Sequence, residues 1–146
     1  MRVLIDTNIF ISYLLSPPES ASTISRLVEA ALLGEFTLLL PEELLAELAE
    51  KLRTSRKLSR RISVDEGQEL IDLLRQAAVA LPTIVEAIPA VVRDPKDDYL
   101  IAQALLGDAG ILISRDKDLL SLKQVEQVQI LSPFQFVQRY FNDGLR

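Results

Sequence analysis

Four acidic side chains at separate places in the sequence could together bind divalent metal ions. Asp6 and Asp116 each follow a short apolar segment. Asp98, preceded by Asp97, begins a longer segment, and Glu47 lies inside another. Mg²⁺ and Mn²⁺ prefer hard oxygen ligands, and a site for two such ions needs several carboxylates from separate elements. These residue types indicate metal-dependent hydrolysis of a phosphodiester.

The composition excludes several other kinds of catalysis. The chain has no histidine and no cysteine, which rules out Ser-His-Asp and Cys-His chemistry, histidine-paired RNA cleavage, disulfides and zinc–thiolate sites. Catalysis would have to use carboxylates, Lys, Ser, Thr, Tyr or a bound metal. The net charge of −5 opposes binding of a polyanion. Carboxylates that bind two divalent ions would neutralise that charge locally.

The length and the hydrophobic pattern indicate a globular protein. With 146 residues, of which 49% are apolar and 25% charged, we expect a single domain over residues 1–146. No apolar run approaches 18 residues and no basic stretch precedes an apolar one at the N-terminus, so we predict neither a membrane span nor a signal peptide. The absence of cysteine is compatible with a cytoplasmic location.

Apolar segments that alternate with helical patterns predict an α/β fold. We expect a three-layer domain with a central, mostly parallel sheet of four to five strands flanked by helices. The predicted strands are 2–5, 36–40, 110–114, 128–131 and a further short one near Ile84 and Val85. The predicted helices are 8–15, about 20–33, one opened by Pro41, about 64–78 with Ser63 and Glu66 as a capping box, 97–106 and 133–141.

Each acidic residue also has a simpler explanation. Asp6 and Asp116 lie at the carboxyl ends of presumed parallel strands, which share one edge of the sheet, but each could instead be a helix N-cap. In place of Asp116, Asp118 could cap the helix that follows. Acidic residues in a first helical turn are favoured by the helix dipole by roughly 0.3–1 kcal/mol. The dipole effect accounts for one acid at the start of this helix, either Asp97 or Asp98, but gives no reason for two adjacent ones.

Glu47 is the most ambiguous of the four when its helix is considered alone. With Glu43 and Glu50 it could form a solvent-exposed stripe, and with Lys51 it forms a favourable i,i+4 pair. Only its combination with acids from other elements suggests a metal site.

Four short motifs in order resemble the PIN domain over nearly the whole chain, and the VapC-like toxin components of toxin–antitoxin pairs in particular. The motifs are Asp6-Thr7-Asn8, Glu43 to Leu48, Arg93 to Ala102, and Ser114 to Leu120. The resemblance implies a ribonuclease that depends on Mg²⁺ or Mn²⁺. It would hydrolyse RNA with a metal-activated water, leaving a 5′-phosphate.

The resemblance also implies roles for individual residues. The catalytic metal ligands would be Asp6, Glu47, Asp98 and Asp116, with Asp97 and Asp118 as helpers. Asp98 is preferred over Asp97 because Asp-x-x-Ile-Ala is the helix pattern of the family. The polar side chains that orient the site would be Asn8 and Ser114. Many relatives have Thr before the last acid, and Ser114 keeps the hydroxyl.

Six of the 16 basic residues lie within positions 51–61 and could bind RNA phosphates. The candidates for RNA contact are Arg56, Lys57, Arg60, Arg61 and, beside the last acid, Arg115. The cluster could equally be a solvated helix end, where basic residues suit the dipole.

The resemblance further implies a cognate antitoxin and a homodimer. The predicted cluster of acidic side chains could accept an Arg or Lys side chain of the antitoxin. Two alternatives remain. A haloacid-type phosphatase needs an acid two residues after the first Asp, where this chain has Asn8. A PIN-fold module that binds nucleic acid or protein without cleaving it would have no need to gather mutually repelling carboxylates.

Overall fold

The computed structural model describes residues 1–16, 22–85 and 95–141, with only the backbone at Pro95 and Lys96. Strands and helices alternate along the chain, as predicted. The elements are β1 (Arg2–Ile5), α1 (Thr7–Leu15), α2 (Thr23–Leu32), β2 (Thr37–Pro41), α3 (Glu42–Thr54), α4 (Arg56–Ser59), α5 (Val64–Ala77), β3 (Val79–Leu81), α6 (Pro95–Leu106), β4 (Ile111–Ile113), α7 (Lys117–Leu122), β5 (Gln124–Val125), β6 (Val128–Leu131) and α8 (Pro133–Tyr140).

The strands form one mostly parallel sheet in the order β3-β2-β1-β4-β6-β5. β1 pairs in parallel with β2 on one side and with β4 on the other, with Val3 opposite Leu38 and Ile111. Of the strands in the described ranges, only β5 is antiparallel to its neighbour. The carboxyl ends of the central strands therefore meet at one edge, which confirms the predicted α/β architecture.

The sheet has six described strands, whereas four to five were predicted. The short strand expected near Ile84 and Val85 was misplaced, since residues 82–85 belong to no strand. The chain returns to the sheet as soon as α5 ends, and β3 pairs with β2 at Val79–Leu81. The additional β5 has only two residues, too few for a detectable alternation of apolar and polar positions.

The central strands are buried on both faces, which explains their continuous apolar runs. Val3, Leu4 and Ile5 have no exposed surface, nor do Leu112 and Ile113. Because these strands are completely buried and paired in register, their ends lie at fixed places in the sheet. The residues that follow β1 and β4 are therefore held in defined places.

Local sequence signals set most helix boundaries. The capping box that begins α5 is present, with the Ser63 hydroxyl accepting from Glu66 N and the Glu66 carboxylate accepting from Ser63 N. Pro41 ends β2 and caps α3, so that helix begins one residue later than predicted. The expected start of α2 near residue 20 lies outside the described residues, and the helix is described from Thr23. None of the helices in the described ranges is long and apolar enough to cross a membrane.

Candidate active site

Four carboxylates from four elements line one small cavity at the carboxyl edge of the sheet. The cavity has a volume of about 140 Å³, and its lining residues are Asp6, Asn8, Glu47, Lys51, Asp97, Leu100 and Asp116. Three of the four acids predicted as principal ligands are therefore brought together.

Asp6 connects β1 to α1, and its backbone continues the sheet. Its N–H donates to the Ile113 carbonyl at 2.9 Å. The carboxylate makes no capping bond to α1 and instead accepts from the Ser114 hydroxyl at 2.8 Å. Burial raises the pKa of Asp6, and the charges of Glu47 and Asp116 raise it further against the lowering effect of Ser114. Asp6 therefore occupies the N-cap position of α1, as considered, but its side chain does not cap the helix and serves the cavity instead.

Glu47 points from α3 toward the end of β1, and its carboxylate contacts Thr7, Tyr99 and Lys51. Its Oε1 accepts from the Thr7 hydroxyl at 2.9 Å and from the Tyr99 hydroxyl at 3.3 Å. The Lys51 ammonium lies 3.3 Å from Oε2. The i,i+4 pair predicted from the sequence thus exists, but it lies at the cavity.

The solvent-exposed stripe considered for α3 is wrong. Glu43 accepts from the Gln103 amide of α6 at 2.8 Å and from the Ile84 N–H at 3.1 Å. Of the three glutamates, Glu50 alone is exposed, and it pairs with Arg53. The glutamates of α3 are mainly tied to neighbouring elements.

Asp97 and Asp98 both lie in the first turn of α6 and are each 7% exposed. Asp97 lines the cavity and Asp98 does not. Adjacent residues on a helix point about 100° apart, so a narrow cavity receives only one of such a pair. The geometry favours Asp97, whereas the sequence pattern favoured Asp98.

Asp116 serves as the N-cap of α7 and also lines the cavity. Its Oδ1 accepts from the N–H groups of Asp118 at 2.8 Å and Leu119 at 3.2 Å. Its own N–H donates to the Ser114 hydroxyl at 3.0 Å. The capping role considered for Asp116 is therefore confirmed. Asp118 is exposed and does not line the cavity, so it is poorly placed as a helper.

Comparison with known proteins agrees with the resemblance found in the sequence. A family model described as the PIN domain matches residues 2–118. The chain belongs to the PIN-domain family. No curated protein matches it.

Among solved structures, this PIN domain is similar to a chain in a crystal structure of VapBC2 from Rickettsia felis bound to a DNA fragment from their promoter. The TM-score is 0.58 at 14% identity, and the match covers 90% of this chain and 98% of the other. At that identity the likeness supports the fold alone.

The donor atoms in the cavity suit the divalent metal ions that the PIN family implies. Carboxylate and amide oxygens are the hard ligands that Mg²⁺ and Mn²⁺ prefer. As the side chains stand, however, no three acids among the described residues are grouped closely enough to hold an ion. The residue types therefore fit a metal, and the carboxylates would have to turn toward a common point.

The site contains residues that the sequence interpretation did not assign. Thr7 is 1% exposed and holds Glu47, as does Tyr99. Burial, followed by the charges of Glu47 and Asp6, raises the pKa of Tyr99 far above its ordinary value, which keeps the hydroxyl protonated as a donor. The sequence offered one signal for these roles, because Thr7 directly follows Asp6 and Tyr99 directly follows Asp98.

Lys51 and Asn8 complete one wall of the cavity. The Lys51 ammonium donates to Asn8 Oδ1 at 3.0 Å. Asn8 thus lies where an orienting residue was predicted, although its partner here is a lysine.

The predicted RNA-contact residues lie on the surface. Arg56 and Lys57 belong to α4, Arg60 and Arg61 follow it, and all four are exposed. Arg115 is also exposed and donates to the Ser12 hydroxyl of α1. None of the five forms an ion pair with an acid in the described parts of the chain, so all remain available to phosphate.

Proposed function

We propose that this PIN-domain protein is a metal-dependent endoribonuclease and the toxin of a toxin–antitoxin pair. The observation that supports this most strongly is the convergence of Asp6, Glu47, Asp97 and Asp116 on one cavity. Each acid comes from a different element, so local helix propensity cannot explain their meeting. The absence of histidine from the chain is consistent with hydrolysis at a carboxylate-rich site.

The four carboxylates would hold Mg²⁺ or Mn²⁺, with Asp98 as a further candidate ligand. A bound divalent ion supplies an acidified water molecule and neutralises charge that develops on the phosphate. Ser114 orients Asp6 through a 2.8 Å hydrogen bond, and Thr7 orients Glu47 at 2.9 Å. These bonds limit the rotation of the two carboxylates.

The RNA backbone would lie against exposed cations of this protein. Arg115 immediately precedes Asp116, and its contact with Ser12 holds the guanidinium over α1. Four more positive charges lie in and just after α4, at Arg56, Lys57, Arg60 and Arg61. Because the whole chain carries −5, such local positive charge would offset the repulsion of the polyanion.

A cognate antitoxin would hold the nuclease inactive. The solved neighbour comes from a VapBC2 assembly, and the similar fold makes the same kind of partner a reasonable proposal for this chain. An Arg or Lys of the antitoxin could enter the acidic cavity in place of metal. We also propose a cytoplasmic homodimer, as for VapC-like relatives.

Cleavage of a mixed RNA pool tests the nuclease proposal. The wild type is incubated with Mn²⁺ or with EDTA beside Asp6→Asn and Asp97→Asn, and Asp72→Asn on the exposed face of α5 serves as a matched control. We expect metal-dependent cleavage by the wild type and the control, and its loss in both cavity variants. If folded wild-type protein neither cleaves RNA nor melts at a higher temperature with Mn²⁺, the non-catalytic binding module becomes the better explanation.

A further inference from the structure

We propose that the Lys51 ammonium is an internal cation of the acidic cavity and competes with the divalent metal ion for it. This inference rests on the proposed metal site and adds a means by which the chain itself sets the metal affinity. It predicts that removal of the Lys51 charge makes the protein bind metal more tightly.

The position of the ammonium group carries the proposal. Lys51 Nζ lies 3.3 Å from Glu47 Oε2 and donates to Asn8 Oδ1 at 3.0 Å. Lys51 is itself part of the cavity wall. The amine therefore lies among the oxygen atoms that a metal ion would use.

Glu47 has no oxygen atom that faces the cavity without a partner group. Its Oε1 accepts from Thr7 and Tyr99, and its Oε2 faces Lys51. A metal ion that binds Glu47 through Oε2 would therefore come close to the ammonium group, and the repulsion between the two cations favours displacement of Lys51 from Oε2. Displacement breaks an existing charge pair, and that loss reduces the net free energy of metal binding.

A second effect acts in the same direction even if Glu47 is not a ligand. A positive charge within a cavity of about 140 Å³ repels an incoming divalent cation, and the repulsion is weakly screened where the groups are partly buried. Asp6, Asp97 and Asp116 attract the ion, whereas Lys51 offsets part of their charge. Lys51, the one lysine among the described residues of the lining, thus lowers the metal affinity.

The lysine has a corresponding role in the metal-free protein. Four carboxylates around one cavity repel each other, and the Lys51 charge partly compensates them. The side chain is about one third exposed, so its stem can leave the cavity without unfolding α3. Metal and Lys51 would therefore alternate at Glu47.

Isothermal titration calorimetry of the full-length, metal-free protein with Mn²⁺ tests the proposal. Lys51→Met retains the apolar stem and removes the charge, and we expect it to bind Mn²⁺ at least about fivefold more tightly than the wild type. Lys51→Arg retains the charge and should bind close to the wild-type affinity. Lys123→Met removes an exposed charge outside the cavity and should also remain close to the wild type.

The controls separate this inference from the proposed function. If the wild type binds Mn²⁺ and Lys51→Met binds it equally or more weakly, the competition is refuted while the metal site stands. An equal gain in Lys123→Met would show a general charge effect and would also refute it. If neither the wild type nor Lys51→Met binds Mn²⁺, both proposals fail. Should Lys51→Met fail to fold, Lys51→Gln, which can still bond Asn8, gives the same comparison.

Discussion

Ser114 donates its hydroxyl hydrogen to Asp6 Oδ2 at 2.8 Å and so joins the ends of adjacent strands β4 and β1. The Ser114 hydroxyl oxygen in turn accepts a hydrogen bond from the N–H of Asp116 at 3.0 Å. Ser114 is completely buried. One side chain therefore links the first and the last acidic positions of the cavity and sets their relative placement.

We expect Ser114→Ala to destabilise the protein by about 1–3 kcal/mol, because the Asp116 N–H and the partly buried Asp6 carboxylate each lose a partner. Thermal or urea unfolding measures the loss. Ser121→Ala removes a hydroxyl that bonds only the Asp118 carbonyl on the exposed face of α7, and it should change stability far less. Equal losses in the two variants would show that the Ser114 link contributes no special stability.

Asp6→Asn is expected to stabilise the metal-free protein at neutral pH. Burial and neighbouring acids raise the pKa of Asp6 above its ordinary value of 3.8, so the folded state holds that proton more tightly than the unfolded chain. Stability from this group is therefore present at low pH and is lost as pH rises from about 3.8 through the folded pKa. Asparagine carries no charge and avoids that loss.

Melting curves in EDTA test whether Asp6→Asn stabilises or destabilises the metal-free protein. At pH 7 the Tm of Asp6→Asn should exceed that of the wild type by about 2–4 °C, and the difference should vanish below pH 4. Asp72→Asn on α5 should show no such pH-dependent gain. A lower Tm of Asp6→Asn at pH 7 would mean that the ionised carboxylate is stabilised in the fold, contrary to its surroundings.

Asp97→Asn should weaken Mn²⁺ binding more than Asp98→Asn. Both side chains are equally buried, but Asp97 lines the cavity and Asp98 does not. We expect loss of one ligand to weaken binding by about tenfold or more, which corresponds to about 1.4 kcal/mol. Calorimetry of the two variants decides between them, because the pair is matched in residue type, burial and helix position. A larger effect of Asp98→Asn would restore the choice made from the sequence pattern.

The fold and the place of the site could be predicted because they depend on local and well-defined signals. Continuous apolar segments marked the buried parallel strands, and parallel strands present their carboxyl ends at a common edge. That rule placed Asp6 and Asp116 together. The capping box of Ser63 and Glu66 likewise fixed the start of α5.

Other details depend on tertiary packing and leave little trace in the sequence. The rotation of α6 decides which of Asp97 and Asp98 enters the cavity, and no periodicity fixes it to within one residue. Glu47 and Lys51 form an i,i+4 pair that would have the same spacing on any exposed helix. The contacts of Thr7, Tyr99 and Asn8 with these two side chains show that this part of α3 faces inward.

Neutralisation of two exposed arginines should weaken RNA binding without affecting the acidic cavity. Arg56→Gln combined with Arg60→Gln removes two candidate phosphate contacts, so the slope of log K against log salt should decrease in magnitude by about 1.4. Binding of a single-stranded RNA to the metal-free protein, measured by fluorescence anisotropy at several salt concentrations, gives this slope. Arg75→Gln combined with Arg139→Gln makes the same charge change on other exposed surfaces and should leave it nearly unchanged. Identical slopes for both double variants would show that the basic cluster is only a solvated helix end.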